Sequence, residues 1–544
     1  MNDSWKFESI FPVSVVSKYG KIENEESLLN KKILQITTNE TDFVTITNNN
    51  LRRNSYILLD FGREIHGRVR ILTYTGNSDC PPEMRITYGE SVSEALSNIG
   101  HQGATNDHSV RDTIFRFPDF SDMSLNESGF RFVKLELLSK NTSINIKAII
   151  AESKMRDIEY LGSFESSSEE LNRIYNTAAY TCHMCMQQFI WDGIKRDRLV
   201  WVGDMHPEML AVKTVFGNNK IIDESLNFMR ETTPLPNWMN GMPTYSLWWL
   251  IILWDWYFYT GNENFINENK DYALKLIKTV TELINDDGSD NLPSYFLDWP
   301  CNGKKAGISG SRALLAWCLE KSAELCNYFN DTQLSEICMS KKKILISTPA
   351  KNYGAKQVEA FFSISGWKNE KEAGEFILSN GSKGFSTFMS YYLLKSASKY
   401  DMSKTLETLE EYYGTMLKMG ATSFWEDFDI EWAENAFGID KLPVDGKKDI
   451  HGDFGAFCYK GLRHSLCHGW SSGPVAFLAE DVLGIKPMAA GCKKIRISPD
   501  LGNLEFAKGT YPTPYGVIKV SVLKNNIGNY DITYEAPKEI EIIL

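Results

Sequence analysis

The segment from Trp191 to Asp204, Trp-Asp-Gly-Ile-Lys-Arg-Asp-Arg-Leu-Val-Trp-Val-Gly-Asp, concentrates side chains suited to binding a carbohydrate. It contains three aspartates, two arginines and two tryptophans, and it follows a predicted helix. Carboxylates and guanidiniums are costly to bury unless they are paired or functional. In a sugar pocket, carboxylates bind hydroxyls or exchange protons, and indoles stack on the apolar ring face. A salt-bridged loop that locks two helices together is the alternative interpretation.

A second polar segment, Ile99 to Asp112, interrupts a region of short apolar runs. It contains His101 and His108. Asp107 and Arg111 stand close to His108 and are expected to orient its ring. Because the unperturbed pKa of histidine is about 6.5, either histidine could serve as a general acid or base if the loop reached a substrate. A hydrogen-bonded surface turn is the other interpretation, and the sequence leaves both open.

Three regions of different hydrophobic pattern must position these side chains. Over residues 1–160, short and mostly alternating apolar runs punctuated by Gly, Pro, Asn and Asp predict an antiparallel β-sandwich. Over residues 161–485, apolar residues recur at helical spacing and predict an all-α domain, which begins near the helix-start signal Ser168-Glu-Glu-Leu. Over residues 486–544, the β pattern returns and predicts a short β domain packed against the helices.

The helical spacing predicts individual helices within the central region. These are Leu171–Ile190, Ile222–Phe228, Tyr272–Ile284, Ser311–Phe329, Asn369–Leu378, Phe388–Lys399 and Leu406–Met419. Loops rich in Gly, Pro, Trp and Asp separate them, and no sequence repeat is evident. Periodicity alone predicts an all-α region here and does not specify how the helices are arranged.

Composition and charge exclude several classes of partner. The net charge of −12 is poorly suited to nucleic acid or to anionic membranes, because both attractions depend on an excess of Lys and Arg. The most apolar segment, Ser246 to Tyr259, is too short to span a bilayer and is interrupted by Asp255. The sequence does not predict an oligomeric state.

The cysteines and the first residues predict the compartment. The ten cysteines are scattered and do not form a disulfide framework, and no signal peptide is visible at the start, so a cytoplasmic protein is expected. Cys182 and Cys185 have the spacing of half a zinc site, but no matching pair follows, so a structural role is predicted. No metal or other cofactor is expected, and bound calcium cannot be derived from the residues.

The Trp191–Asp204 segment resembles glycoside hydrolase family 78, the α-L-rhamnosidases. In that family a stretch after the first barrel helices ends Arg-x-x-Trp-x-Gly-Asp, which matches Arg198, Trp201, Gly203 and Asp204. Counting back from Asp204, the family's general-acid Glu falls on Asp197, and a sugar-binding Asp of some members falls on Asp192. Asp is one methylene shorter than Glu, which sets the acid back by roughly 1.5 Å, and an ångström-scale misplacement can cost about 10²-fold in rate.

Further motifs extend the resemblance from about residue 160 to the end of the chain. The run Gly420-Ala-Thr-Ser-Phe-Trp-Glu resembles the family's Gly-Ala-Thr-x-x-Trp-Glu, whose Glu is the general base and falls on Glu426. The run from Leu466 to Pro474 resembles one wall of the family's pocket, and Phe296-Leu-Asp-Trp299 resembles a loop at its floor. The stretch after Cys492 resembles the terminal β domain. The resemblance implies that the central domain is an (α/α)6 barrel.

The resemblance implies an exo-acting enzyme that releases terminal L-rhamnose from an oligosaccharide or glycoside with inversion of configuration. Asp197 would protonate the leaving oxygen and Glu426 would activate a water, with the carboxyl groups about 6.5–9.5 Å apart. The other candidate substrate-binding residues are Asp192, Arg196, Arg198, Trp201, Asp204, Asp298, Trp299, Trp425, His468, Trp470 and His101.

Two alternatives remain open. Lyases that cleave rhamnose–glucuronate linkages resemble family 78 in fold. Such a lyase needs a base to remove the proton at C5 and a cation to neutralise the uronate carboxylate. His108 or His101 would be the base, and Arg196 or Arg198 would neutralise the uronate. A carbohydrate-binding protein with an inactive site is the minor alternative.

Overall fold

The computed structural model describes residues 4–49, 52–77, 79–525 and 528–544. In the described N-terminal part, nine strands pair into one antiparallel sheet. The elements are β1 (Trp5–Ile10), β2 (Ser14–Tyr19), β3 (Lys21–Glu23), β4 (Val44–Asn48), β5 (Ser55–Thr73), β6 (Glu83–Gly89), the short helix α1 (Val92–Leu96), β7 (Asp112–Arg116), β8 (Asp122–Leu137) and β9 (Thr142–Arg156).

Both faces of the long central strand β5 are buried. Ile57 and Leu59 contribute to the main core of the sheet, while Leu58 on the opposite face packs with Val92 and Ala95 of α1. Strand β5 pairs with β2, β8 and β9, so it joins most of the sheet together. The loop between α1 and β7, which carries both histidines, is therefore anchored at each end on this sheet.

The central region is helical, as the apolar spacing predicts. After strand β10 (Ser163–Ser166) come α2 (Glu169–Cys185), α3 (Met205–Val215), α4 (Ile221–Thr232), α5 (Pro243–Thr260), α6 (Glu263–Glu268), α7 (Lys270–Glu282), α8 (Lys305–Tyr328), α9 (Thr332–Ile346), α10 (Lys356–Ile364), α11 (Glu370–Leu378), α12 (Ser390–Ala397), α13 (Met402–Lys418) and α14 (Gly473–Phe477). The predicted start of α2 is confirmed, because Ser168 caps it by accepting a hydrogen bond from the backbone N–H of Leu171.

Six of these helices contact one another in a closed series. Helix α3 contacts α5, α5 contacts α8, α8 contacts α10, α10 contacts α12, α12 contacts α14, and α14 contacts α3. Helix α3 begins directly after Asp204, and α14 follows the turn from His468 to Ser472. The contact between α3 and α14 therefore brings two of the candidate motifs together.

The prediction of an all-α region is wrong between α13 and α14. Residues 419–472 are mainly loop and 3-10 turn, with a short parallel pairing of β11 (Ala436–Phe437) and β12 (Lys448–Asp449). This stretch contains many Gly and Asp residues and has no helical apolar spacing. It carries Glu426, so the structure places this candidate base on a loop.

The C-terminal strands form two small sheets that share the core of the helices. They are β13 (Ile485–Pro487), β14 (Lys494–Ile497), β15 (Phe506–Thr513), β16 (Gly516–Lys524), β17 (Tyr530–Glu535) and β18 (Glu541–Ile543). Strand β15 also pairs with β10, which joins this part to the chain just before α2. Within the described ranges, none of the helices combines the length and apolar character needed to cross a membrane.

Candidate active site

The loop between α2 and α3 turns Arg196 inward and Arg198 outward. Asp197 and Arg198 both adopt left-handed backbone conformations, with φ of 54° and 58°, which are sparsely populated for these residue types. Arg196 is buried and pairs with Glu426. Arg198 instead pairs with Glu127 of β8 at 3.1 Å and lies over the ring of Trp191. The structure thus places Arg196 at the predicted site, whereas Arg198 forms an ion pair with the N-terminal sheet.

Asp197 and Glu426 both bind the guanidinium group of Arg196. Its Nη1 lies 3.1 Å from Asp197 Oδ1, and its Nη2 donates a hydrogen bond to Glu426 Oε1. Glu426 Oε2 accepts a hydrogen bond of 3.1 Å from the backbone N–H of Ser465. The two carboxylates that the sequence assigns as acid and base therefore flank a single buried cation.

The loop that carries His108 reaches this group. The backbone N–H of Asp197 donates to His108 Nδ1 at 2.6 Å, and the same nitrogen lies 3.0 Å from Asp197 Oδ1. Ser109 fixes the loop by donating to the carbonyl oxygen of Lys195 at 2.8 Å. His101 is exposed on the surface. His108 is itself exposed but contacts Asp197, whereas the structure gives His101 no contact with the site within the described residues.

The neighbours expected to orient His108 have other partners. Arg111 is buried and donates to the carbonyl oxygens of Tyr88, Glu94 and Ser97. Asp107 pairs with Arg463 at 3.1 Å. The expectation that these two side chains orient the ring is therefore wrong, because the Nη groups of Arg111 bind backbone carbonyl oxygens and Asp107 binds Arg463.

His468 lies among three carboxylates. Its Nε2 is 3.7 Å from Asp192 Oδ2, 3.9 Å from Asp204 Oδ2 and 3.8 Å from Glu426 Oε1. Asp192 Oδ1 accepts from the Leu199 backbone N–H at 2.9 Å. All four of the ionisable side chains are buried, so this part of the site is shielded from water.

Burial changes the protonation of this cluster. It raises the pKa of Asp192 well above its usual value, and the neighbouring carboxylates of Asp204 and Asp197 raise it further. It likewise raises the pKa of Asp204, with Glu426 adding to the effect, although a hydrogen bond from Tyr245 opposes it. Burial lowers the pKa of His468 well below its usual value. These shifts favour the neutral forms of Asp192, Asp204 and His468, and a neutral carboxyl or imidazole group can both donate and accept hydrogen bonds.

A glycine makes the approach of Tyr245 to Asp204 possible. The Tyr245 hydroxyl donates to Asp204 Oδ1 at 3.2 Å. A Cβ on Gly203 would lie 2.5 Å from the Tyr245 ring, a distance that side chains do not tolerate. The Gly-Asp pair of the sequence motif is thus explained by this contact.

The tryptophans divide into buried and accessible ones. Trp470 is buried and donates through Nε1 to the carbonyl oxygen of Glu426 at 2.9 Å. Trp425 is 1% exposed, so it is not open to solvent as a stacking surface. Trp299 is partly exposed and stacks on Phe457 with ring centroids 5.2 Å apart, and Trp201 is partly exposed beside Tyr245.

Asp298 lies at the base of the Trp299 turn. Its Oδ1 accepts from the Trp299 backbone N–H at 2.8 Å, and its Oδ2 accepts from the Ser386 hydroxyl at 2.5 Å. Burial raises its pKa to about 6. Asp298 therefore fixes the turn that presents Trp299.

Sequence reasoning missed two acidic side chains. Glu208 follows Asp204 by one helical turn and is buried, and its pKa is raised well above the usual value by burial and then by Asp204 and Asp192. Asp427 follows Glu426, and its pKa is raised to about 7 by burial and then by Asp298 and Glu426. The i, i+4 spacing from Asp204 was the only signal for Glu208, and adjacency to Glu426 was the only one for Asp427.

One group of potential metal ligands lies near the site. Among the described residues, Glu90, Glu94 and His451 bring ligand atoms within 4.8 Å of one another. The ammonium group of Lys195 already contacts Glu90 at 2.9 Å and Glu94 at 3.3 Å. His451 uses Nδ1 with the Ser91 hydroxyl and Nε2 with the His464 carbonyl oxygen. The two glutamates therefore pair with Lys195, and both ring nitrogens of His451 have other partners. Because the ligand atoms are already engaged in this way, the group does not fit a metal ion.

Two family models match the chain. Residues 159–333 match the bacterial alpha-L-rhamnosidase 6 hairpin glycosidase domain, and residues 484–541 match the bacterial alpha-L-rhamnosidase C-terminal domain. An alpha-L-rhamnosidase from Alteromonas sp. (strain LOR) is 23% identical over 555 residues, which cover 89% of this chain and 55% of that protein. The chain thus spans little more than half the length of this curated relative.

Solved structures share the fold. The family 78 rhamnosidase of Bacillus sp. GL1 superimposes with a TM-score of 0.76 at 22% identity, covering 93% of this chain and 54% of that one. A Klebsiella oxytoca rhamnosidase with rhamnose bound superimposes with a TM-score of 0.68 at 16% identity, covering 88% and 96% of the two chains. These matches confirm the predicted resemblance of the chain to the α-L-rhamnosidases of glycoside hydrolase family 78.

Proposed function

We propose that the protein is an exo-acting glycoside hydrolase that releases terminal L-rhamnose with inversion of configuration. The observation that carries this proposal is the convergence of Asp197 and Glu426 on Arg196. Each carboxylate comes from a motif that resembles the rhamnosidases, and the Klebsiella structure holds rhamnose. Glycosidases of this kind need two carboxyl groups, one acting as acid and the other as base.

In the proposed mechanism Glu426 activates the attacking water. The Ser465 N–H and the Arg196 guanidinium bind its two oxygens and fix the orientation of the carboxylate. Asp197 protonates the leaving oxygen, and His108 holds the backbone of this acid, because its Nδ1 accepts a hydrogen bond of 2.6 Å from the Asp197 N–H. An inverting reaction requires room for one water, with the carboxyl groups about 6.5–9.5 Å apart.

The buried cluster of Asp192, Asp204 and His468 is the proposed site for the sugar hydroxyls. Asp192 and Asp204 have raised pKa values, so they can donate as well as accept hydrogen bonds. The partly exposed Trp299 and Trp201 are the proposed stacking surfaces. We assign Trp425 and Trp470 to supporting the Glu426 loop, since both are buried.

The lyase alternative is favoured by one observation, the placement of His108 beside Asp197 and close to Arg196. Charge opposes it. Arg196 is already paired with two carboxylates, and Arg198 is paired with Glu127. A lyase needs a cation to neutralise the uronate carboxylate, and both of these arginines already bind protein carboxylates.

Variants assayed on α-L-rhamnosyl-glucuronate test the proposal. Under the hydrolase mechanism, Asp197→Asn and Glu426→Gln abolish release of rhamnose, while His108→Ala only weakens it. Under the lyase mechanism the order reverses, and the wild-type protein produces an unsaturated uronate that absorbs in the ultraviolet. His101→Ala is the matched control, because that exposed histidine lies outside the cluster. Wild-type rates in both Asp197→Asn and Glu426→Gln would overturn the hydrolase assignment.

The same proposal extends to architecture. We propose that the closed series of six helices is the inner layer of an (α/α)6 barrel within residues 161–485, flanked by a β-sandwich over residues 1–160 and a β domain over residues 486–544. The helix-to-helix contacts and the match to a six-hairpin domain support it. We further propose a reducing compartment, since the cysteines are scattered through the sequence and do not form a disulfide framework.

A further inference from the structure

We propose that Glu90, which directly follows a strand of the N-terminal sheet, is a positioning residue for the general base Glu426. The inference rests on the proposed hydrolase function. Glu90 follows the last residue of β6, and its side chain is fully buried. It is remote in sequence from every motif that resembles the rhamnosidases, but its contacts are with the loop that binds Glu426.

The contacts form a short chain from Glu90 to the base. Glu90 Oε2 accepts a hydrogen bond of 2.6 Å from the backbone N–H of Leu466, and Oε1 accepts one of 3.4 Å from the Ser465 hydroxyl. The backbone N–H of Ser465 then donates to Glu426 Oε2 at 3.1 Å. The Ser465 carbonyl oxygen also accepts from the Glu426 backbone N–H at 3.0 Å. Glu90 therefore binds Ser465, which holds the base in place, and its neighbour Leu466.

A buried lysine links the same carboxylate to the loop that carries Asp197. Lys195 Nζ lies 2.9 Å from Glu90 Oε2 and donates to the His464 carbonyl oxygen at 2.5 Å. Lys195 immediately precedes Arg196, whose guanidinium binds both Asp197 and Glu426. The Glu90–Lys195 pair thus touches both loops of the site. Shifting either loop by about an ångström can cost about 10²-fold in rate.

The chain offers a matched control in Glu94. Glu94 is equally buried and pairs with the same Lys195 at 3.3 Å. Its Oε2 accepts from the backbone N–H of Glu90, and the structure gives it no hydrogen bond to Ser465 or Leu466 within the described residues. Removing either carboxylate takes one partner from Lys195, but only removal of Glu90 releases the Ser465–Leu466 backbone. A purely structural role would affect both variants alike.

The test compares Glu90→Gln, Glu90→Ala, Glu94→Gln and wild type in full-length protein, with an aryl α-L-rhamnoside as substrate. We expect kcat to fall about 10²-fold in Glu90→Ala with KM changed less than about threefold. Glu90→Gln keeps a carbonyl oxygen for the Leu466 N–H and should recover part of that loss. Glu94→Gln should retain kcat within about threefold, and thermal unfolding of each variant checks that it is folded. If Glu90→Ala does not fold, the two Gln variants carry the comparison.

The outcomes separate this inference from the proposed function. Equal kcat values in Glu90→Gln and Glu94→Gln, with wild type active, would overturn the positioning role and leave the hydrolase proposal standing. A loss confined to KM would also overturn it, because a positioning residue of the base acts on the chemical step. A wild-type protein that turns over no rhamnoside would overturn the hydrolase proposal and this inference together.

Discussion

At the scale of single residues, the central feature is a buried arginine shared by two carboxylates. The sequence predicts that Asp197, Glu426 and Arg196 lie at one site, and the structure brings them together. The sequence does not predict that Arg198 faces the sheet, because that orientation depends on two successive residues with left-handed backbone conformations. Backbone conformation of this kind is set by tertiary contacts and leaves no mark on composition.

Arg196 and Arg198 give a matched pair for mutation. We expect Arg196→Gln to lower kcat/KM by about 10²-fold or more and to destabilise the protein by about 3–5 kcal/mol, since it leaves two carboxylates without their buried cation. Arg198→Gln should lower kcat/KM less than about fivefold, because its partner Glu127 is partly exposed. Steady-state kinetics and urea unfolding measure both effects. Equal losses in the two variants would contradict the assigned orientation.

At the scale of elements, helical periodicity predicts the helices that have one apolar face. It is less informative about α5, which is apolar on all sides. Helix α5 is buried over most of its length, and its apolar residues surround it, so it has no amphipathic pattern to detect. The stretch that carries Glu426 shows no periodicity and is a loop, as its composition would indicate. Pairing between β10 and β15 was not predictable, because it joins residues far apart in sequence.

An ion-pair cluster formed by Lys213 of α3, Lys395 of α12 and Glu480, which follows α14, should make a large contribution to stability. Glu480 is buried and pairs with Lys213 at 2.7 Å and with Lys395 at 3.3 Å. Burial would raise the pKa of Glu480, but these lysines outweigh it and hold the pKa well below its usual value. A lowered pKa in the folded state stabilises the protein above the unfolded-state pKa, and this contribution is lost as pH falls through the lowered value.

The cluster is tested by the pH dependence of unfolding. We expect Glu480→Gln to lower the unfolding free energy by about 3–5 kcal/mol at pH 7, because it removes the carboxylate that pairs with the buried ammonium group of Lys213. The difference from wild type should shrink below about pH 4.3, where the carboxylate of the unfolded chain becomes protonated. Glu541→Gln is the control, since it removes an exposed pair with Lys494 and should cost less than about 1 kcal/mol. A pH-independent difference would contradict the ionic explanation.

At the scale of the whole molecule, the N-terminal sheet supplies parts of the site. It and its adjoining loops carry His108 and Glu90, and Arg131 of β8 donates to the carbonyl oxygen of Gly420 near the start of the Glu426 loop. The motifs that resemble the rhamnosidases lie outside this region. They therefore predict the acid and the base, but they do not predict the contacts that the N-terminal sheet makes with them.

A fragment that begins at residue 161 should therefore fold poorly and show no turnover. Its Lys195 would lose both carboxylate partners, and the surface that contacts β8 and α1 would be exposed. Circular dichroism and an assay on an aryl α-L-rhamnoside measure the two effects. A folded fragment with wild-type kcat would show that the sheet contributes nothing to catalysis.

The most direct test of the central claim is to follow the wild-type reaction with α-L-rhamnosyl-glucuronate by proton NMR from its first minutes. If Asp197 and Glu426 act as an inverting pair, β-L-rhamnose and saturated glucuronate appear first, and the α anomer grows in later by mutarotation. An unsaturated uronate would show that the protein is a lyase. Initial formation of α-L-rhamnose would show that configuration is retained and would contradict the assigned roles of the two carboxylates.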